Sequence, residues 1–176
     1  TRNNCSKQII SKKLLSILII LFCTTSVFAN NKDTPHIEYV KLFKQLLFYT
    51  TLIQDGYRDP HALKDKYKTF KKNFIYTVTP KTEVLFFILK KKQEDKTIQY
   101  LVIRGTSNLA NAIVDLKFKQ VKDSKTGLYV HEGFLAATRQ IYSKAKKYLS
   151  KKKPLIIVGH SMGGALAALV GIYFNQ

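Results

Sequence analysis

The sequence is poor in several residue types, and each shortage narrows the range of functions. Its 176 residues include no tryptophan, one methionine and two cysteines. Because both cysteines, Cys5 and Cys23, lie near the amino terminus, the rest of the chain can form no disulfide framework and no thiol-ligated metal site. Acidic residues number 11 against 30 lysines and arginines, a formal net charge of +19. The composition therefore predicts a basic protein without a thiol-ligated metal site, and no other metal and no cofactor are expected.

The excess of positive charge has two interpretations. Scattered lysines, as in Lys90–Lys92 and Lys151–Lys153, form a solvated surface on many soluble proteins. The same charge also suits an anionic partner, such as a membrane surface of phospholipid headgroups. Nucleic acid is not expected, because the chain has no basic helix with interleaved aromatic residues and no recognisable nucleic-acid module. Nothing in the pattern indicates the oligomeric state.

The amino terminus has the organisation of a signal peptide. A cationic stretch precedes the apolar run Leu14–Phe22, and small or aliphatic residues follow in Ser26–Ala29. This pattern predicts a signal peptide over residues 1–29, cleavage after Ala29 and a secreted or periplasmic protein. The apolar run is short for a membrane span, which takes about 20 residues. An uncleaved anchor and a lipid-modified Cys23 remain open alternatives.

Hydrophobic periodicity predicts alternating helices and strands in the remaining chain. Apolar residues at three- and four-residue steps predict helices, and short β-prone apolar runs predict strands. The predicted helices are Ile37–Ile53, Gly133–Leu149 and Ser161–Phe174. The predicted strands are Phe74–Val78, Glu83–Leu89, Thr97–Arg104 and Pro154–Val158. The charged run Lys90–Lys96 is expected to be the turn of a hairpin, and Pro154–Val158, apolar throughout, a central strand buried on both faces.

The most informative motif is the G-x-S-x-G pattern of residues 159–163. A serine hydroxyl becomes a nucleophile only when it is lifted clear of the backbone and set beside a base. A sharp turn between a strand and a helix lifts it, and glycines two residues to either side prevent collisions with the backbone. Here the turn lies between a predicted apolar strand and an alanine-rich helix. This context predicts Ser161 as the nucleophile of a hydrolase.

Two other interpretations of this turn are weaker. A glycine-rich phosphate site before a helix is one, but no lysine follows the glycines as in a Walker motif and no dinucleotide fingerprint is present. His160 as the catalytic base is the other. Because adjacent residues around the turn point apart, His160 is expected to be a packed or site-lining residue.

With these residues the sequence resembles the class 3, or fungal lipase-like, lipases of the α/β-hydrolase superfamily. The matching blocks, in order, are Val102–Ser107 with Asp115 and Leu116 behind it, Val130–Phe134, and Ile157–Ala165. The match is specific from Thr97 onward, loose over residues 36–96 and absent from residues 1–29. The resemblance implies an α/β fold, an α/β-hydrolase-like sheet with flanking helices, of which residues 30–176 form the amino-terminal part.

The resemblance also implies an oxyanion hole. Thr106 stands at the family's oxyanion position after an Arg-Gly pair, where a backbone N–H, often helped by a hydroxyl, binds the oxyanion. Met162, the residue after the nucleophile, would supply the second N–H. Removing one such donor costs about 3–4 kcal/mol in similar hydrolases. A cap at the end of a strand is the alternative role for Thr106.

The other residues of the matching blocks are expected to be structural. Residues 108–114 fall where fungal members carry a helical lid, but Ala112 stands where the family often has a tryptophan, so lid action stays an open hypothesis. Asp115 and His131 both precede Ser161, whereas the fold's order is Ser, then Asp, then His. Arg104 is likewise expected to serve in an ion pair or a hydrogen bond.

The implied function is hydrolysis of carboxylic esters of lipids, triacylglycerol or phospholipid, through an acyl-enzyme on Ser161. The residues after Ser161 contain no Asp, Glu or His. This chain is therefore expected to be an incomplete, inactive fragment whose triad Asp and His are absent. The strands that usually follow the serine turn are absent too, so Pro154–Val158 is expected to lie at or near an exposed edge, although its composition suits burial. The alternative is a non-catalytic membrane-surface or lipid-binding protein on a hydrolase remnant, which would bind liposomes without hydrolysing them. A peptidase or an acyltransferase on the same turn is a third candidate.

Overall fold

The structure, a computed structural model, describes residues 36–106 and 119–175. The chain divides into two compact units, residues 1–44 and residues 45–176. In the first unit the description begins at His36, where helix α1 (His36–Asp55) starts. The predicted signal peptide lies outside the described residues. No helix within the described ranges is long and apolar enough to cross a membrane.

The second unit alternates helices and strands. After α1 the chain forms α2 (Pro60–Lys66), a 3₁₀ helix (Lys68–Asn73), β1 (Phe74–Val78), β2 (Leu85–Gln93) and β3 (Lys96–Ile103). Later elements are β4 (Gln120–Lys122), β5 (Tyr129–His131), α3 (Glu132–Ala145), β6 (Leu155–Gly159) and α4 (Met162–Phe174). Strands β4 and β5 pair with each other in a small antiparallel hairpin.

A mixed sheet positions the predicted nucleophile. Its strand order is β1-β2-β3-β6, in which β1, β2 and β3 are antiparallel and β3 and β6 are parallel. Ile103, the last residue of β3, lies opposite Gly159, the last residue of β6. Because parallel neighbours end at the same edge of a sheet, the residues that follow β3 and β6 come together. This edge holds the G-x-S-x-G turn.

Helices cover both faces of the mixed sheet. Successive side chains of a strand point to opposite faces, so β2 and β3 supply two apolar layers. One layer packs against α3 and α4 and includes Phe86, Ile88, Leu101, Ile103, Ile141 and Leu166. The other packs against the end of α1 and α2 and includes Leu52, Leu63, Phe87, Leu89, Tyr100 and Val102. The α/β sheet with flanking helices that the sequence predicts is confirmed.

Two predicted features differ from the structure. Strand β2 continues to Gln93 and β3 begins at Lys96, so only two residues of the expected turn Lys90–Lys96 form it. The lysines reach solvent from the end of the sheet, where their charge does not oppose backbone pairing. Strand β6 is half-buried along its whole length, not buried. Within the described part of the chain only β3 pairs with it, so its other edge has no strand partner among these residues.

Candidate active site

The turn between β6 and α4 places Ser161 at the carboxyl edge of the sheet. Ser161 has φ 56° and ψ −127°, a backbone conformation that residues other than glycine seldom adopt. Ser161 is exposed, and its hydroxyl makes no capping hydrogen bond to α4. Backbone strain of this kind persists where the surrounding structure enforces it, typically at functional sites. The strained turn leaves the hydroxyl accessible, as a nucleophile requires.

Close backbone contacts explain both glycines of the motif. A Cβ atom at Gly159 would collide with the carbonyl group of Gly163 and lie 2.9 Å from the nitrogen of Gly164. A Cβ atom at Gly163 would collide with the carbonyl oxygen of Ile103 and lie 2.9 Å from the nitrogen of Gly105. Real Cβ atoms essentially never approach a neighbour closer than 3.0 Å. Gly163 therefore allows the first turn of α4 to touch the end of β3.

A third glycine brings the residues after β3 against the serine turn. A Cβ atom at Gly105 would collide with the carbonyl oxygen of His160 and lie 2.6 Å from the hydroxyl oxygen of Tyr57. The next residue, Thr106, donates a hydrogen bond from Oγ1 to Sδ of Met162, at 3.3 Å. The two residues for which an oxyanion role is predicted are thus neighbours in space.

The arrangement leaves hydrogen-bond donors next to Ser161. Among the described residues, no backbone hydrogen bond uses the N–H of Thr106 or of Met162. Helix α4 also begins here, and a helix amino terminus favours negative charge through its free N–H groups and its dipole. Free N–H donors beside a nucleophile are the kind of group that can stabilise an oxyanion. Their oxyanion role itself stays a prediction.

Tyr57 is a site residue that the sequence reasoning missed. It follows the end of α1, and its hydroxyl oxygen lies 3.3 Å from Nδ1 of His160. The same oxygen lies against the backbone of Gly105, 2.6 Å from the position that a Cβ atom would take there. Burial raises the pKa of Tyr57, and the backbone of Gly105 and the charge of Arg104 oppose the rise only in part. The phenol is therefore neutral at neutral pH. No motif marks a lone tyrosine after a helix, so only the packing reveals it.

Of the other residues singled out in the sequence, the structure describes Arg104 and His131. The guanidinium carbon of Arg104 lies 5.6 Å from the ring centroid of Tyr57, and no carboxylate of the described residues forms an ion pair with it. The ring of His131 packs against Phe134, with centroids 5.1 Å apart. Asp115 and the lid segment 108–114 lie outside the described residues. Residues 36–106 and 119–175 contain no cluster of His, Cys, Asp and Glu suited to a metal ion.

Two buried carboxylates, Asp55 and Asp123, accept hydrogen bonds from nearby side chains. Ser161 is not among these donors. Burial by itself raises the pKa of each, but the hydrogen bonds more than offset it and hold both pKa values below the ordinary range. The donors are Arg58, Lys66 and Tyr67 to Asp55, and Thr126, Arg139 and Tyr173 to Asp123. None of these contacts includes His160. Both acids serve structure, and neither orients a base at the serine.

Comparison with known proteins finds relatives among the lipases. The sequence model described as "Lipase (class 3)" matches residues 100–176, less than half of the chain. This part of the chain is similar to the class 3 lipase family. A lipase of Rhizopus niveus is 36% identical over 97 residues, 49% of this chain and 24% of that protein. A secreted mono- and diacylglycerol lipase of Fusarium solani is 32% identical over 81 residues, 42% of this chain and 24% of that protein.

A solved lipase has a similar fold. The structure of a Rhizomucor miehei triacylglyceride lipase matches with a TM-score of 0.58 and 24% identity, over 77% of this chain and 56% of that one. The predicted resemblance and the α/β-hydrolase-like fold class are confirmed. The chain spans about a quarter of the length of the curated lipases that it matches.

Proposed function

We propose that this protein is a lipase that hydrolyses carboxylic esters of lipids through Ser161. The observation that carries the proposal is the strained, exposed conformation of Ser161 in a turn whose glycines contact the end of β3. Thr106 and Met162 lie side by side at the same turn. The activities named for the relatives support a lipid ester as the substrate class.

In the proposed reaction Ser161 Oγ attacks the carbonyl carbon of the ester, and its proton passes to a base. The carbonyl oxygen becomes an oxyanion, which accepts hydrogen bonds from the N–H groups of Thr106 and Met162. Collapse of this intermediate breaks the ester bond, and the alcohol leaves with the proton from the base. Water then attacks the acyl-enzyme, releases the carboxylic acid and restores the serine. No described residue is assigned here as that base or as the acid that orients it.

The positions of two lysine clusters indicate which end of the sheet would attract an anionic membrane. Lys90 pairs with Gln99, and Gln99 lies opposite Leu155, the first residue of β6. Lys90–Lys92 and Lys151–Lys153 therefore lie at the sheet end away from Ser161, here called the lysine end, about 16 Å along the strand. A membrane held by the lysine end would face away from the serine. We propose that lipid substrate, triacylglycerol or phospholipid, reaches the carboxyl edge instead.

The proposed location outside the cytoplasm rests on the sequence pattern of residues 1–29. The Fusarium solani relative is named as a secreted lipase, which supports this proposal. Secretion also agrees with a substrate that is external lipid.

The proposed function is tested by hydrolysis of a triacylglycerol emulsion and of phospholipid vesicles by the protein expressed from its complete reading frame. We expect Ser161→Ala to lower kcat by about 10⁴–10⁶, as loss of a nucleophile does in such enzymes. Ser150→Ala is the matched control, because its hydroxyl only accepts a 3.3 Å hydrogen bond from Lys152 N at the lysine end. Turnover that survives Ser161→Ala contradicts the proposal. Vesicle binding without hydrolysis supports the membrane-surface alternative.

A further inference from the structure

We infer that Tyr57 is a positioning residue that fixes the distance between the oxyanion donors and the nucleophile. The inference rests on the proposed function. Its basis is the place of one hydroxyl group between two backbone segments, the segment 104–106 after β3 and the turn around Ser161. These segments come from strands that are far apart in sequence, and no strand hydrogen bond extends to join them beyond Ile103 and Gly159.

The hydroxyl of Tyr57 contacts the residue before each proposed functional residue. Gly105, whose backbone packs against the phenol oxygen, precedes Thr106. His160, whose Nδ1 lies 3.3 Å from the same oxygen, precedes Ser161. The phenol can therefore hydrogen-bond to His160 while it packs against Gly105. One hydroxyl thereby connects the proposed oxyanion donor to the nucleophile.

The segment 104–106 needs such a support. Arg104 N donates to Leu85 O at 2.9 Å, which continues the sheet by one residue. Among the described residues, no backbone acceptor binds the N–H of Gly105. Gly105 also has no side chain that could pack. Its position is instead set by packing against the phenol oxygen of Tyr57 and the carbonyl oxygen of His160.

Tyr57 itself is fixed by a rigid element. Its N–H donates to Gln54 O at 3.1 Å, at the end of α1. Leu52, in the same last turn, is buried in the core against β2 and β3. The guanidinium of Arg104 covers the ring at 5.6 Å. A positioning group carried by a packed helix end is more precise than one on a free loop.

The expected signature is a loss in kcat without a loss in substrate binding. The oxyanion exists only in the intermediate and its transition states, so a misplaced donor lowers kcat and leaves KM in place. We expect Tyr57→Phe to lower kcat about 10-fold, the effect of one hydrogen bond, with KM within about twofold. The melting temperature should change by less than about 2 °C, because the ring and its packing remain.

The matched control is Tyr100→Phe, in the protein expressed from its complete reading frame. Tyr100 is buried, and its hydroxyl accepts one hydrogen bond from Gln93 Nε2 at 2.9 Å. It lies in β3 toward the lysine end, so kcat should match the wild type. A second test combines Tyr57→Phe with His160→Phe. If the two side chains act as one unit, the double variant loses no more than either single variant.

The possible results distinguish failure of the positioning role of Tyr57 from failure of the proposed lipase function. Ser161-dependent turnover in the wild type with an unchanged kcat in Tyr57→Phe overturns the positioning role alone. So do fully additive losses in the double variant, or a change confined to KM and melting temperature. Absence of Ser161-dependent turnover in the wild type overturns the proposed function and the role of Tyr57 with it.

Discussion

The two ends of the parallel strand pair β3 and β6 have the same backbone pairing but opposite chemistry. At the carboxyl edge, Gly105, Gly159 and Gly163 bring backbone against backbone, and Ser161 is strained and exposed. At the lysine end, the buried amide of Gln99 donates to Ser150 O at 2.9 Å and accepts from Ser150 N at 2.8 Å. One end keeps donors free beside a strained serine, whereas the other satisfies its polar groups.

The difference separates groups suited to chemistry from groups suited to stability. A satisfied buried amide stabilises the fold, because its loss leaves neighbouring backbone groups without partners. A strained residue costs stability and persists only where its surroundings fix it. Substitutions at the carboxyl edge should therefore change kcat, and substitutions at the lysine end should change the free energy of unfolding.

Among the substitutions that test this difference between the two ends, the largest effect is expected for Gly163→Ala. Its Cβ would collide with the end of β3 and push α4 away from Gly105. Because a displacement of about 1 Å can cost about 100-fold in rate, we expect kcat to fall at least that far. Gly171→Ala in the same helix is the control, since its Cβ would meet only Ile157 Cδ1 at 4.0 Å. Equal kcat values for the two variants would contradict the contact between α4 and β3.

A smaller effect of another kind is expected for Gln99→Leu. The variant leaves the backbone groups of Ser150 and Lys153 without their side-chain partner. We expect urea denaturation to show a loss of about 1–3 kcal/mol in the free energy of unfolding, with kcat unchanged. Gln140→Leu, which removes one exposed hydrogen bond from Lys81 N, should cost less than about 0.5 kcal/mol. A fall in kcat as large as that of Gly163→Ala would erase the contrast between the two ends.

Local patterns made part of this molecule predictable. The G-x-S-x-G turn is contiguous, so its glycines and the flanking strand and helix can be recognised from neighbouring residues. The composition of β6 predicts more burial than the strand has, because burial depends on which strands lie beside it; the expected position at an exposed edge agrees with the strand order. The sequence analysis predicts β2 and β3 to be shorter than they are. Exposed lysine side chains at the end of a strand do not destabilise its backbone pairing. Tyr57 was missed because it reaches His160 only through the packing of α1, 103 residues earlier in the chain.

The central claim is that Ser161 is a live nucleophile, and covalent labelling tests it most directly. The protein expressed from its complete reading frame is treated with a fluorophosphonate probe, and the labelled peptide is identified by mass spectrometry. The account predicts one label on Ser161, retained in Ser150→Ala and lost in Ser161→Ala. A wild-type protein that folds but carries no label on Ser161 would contradict it.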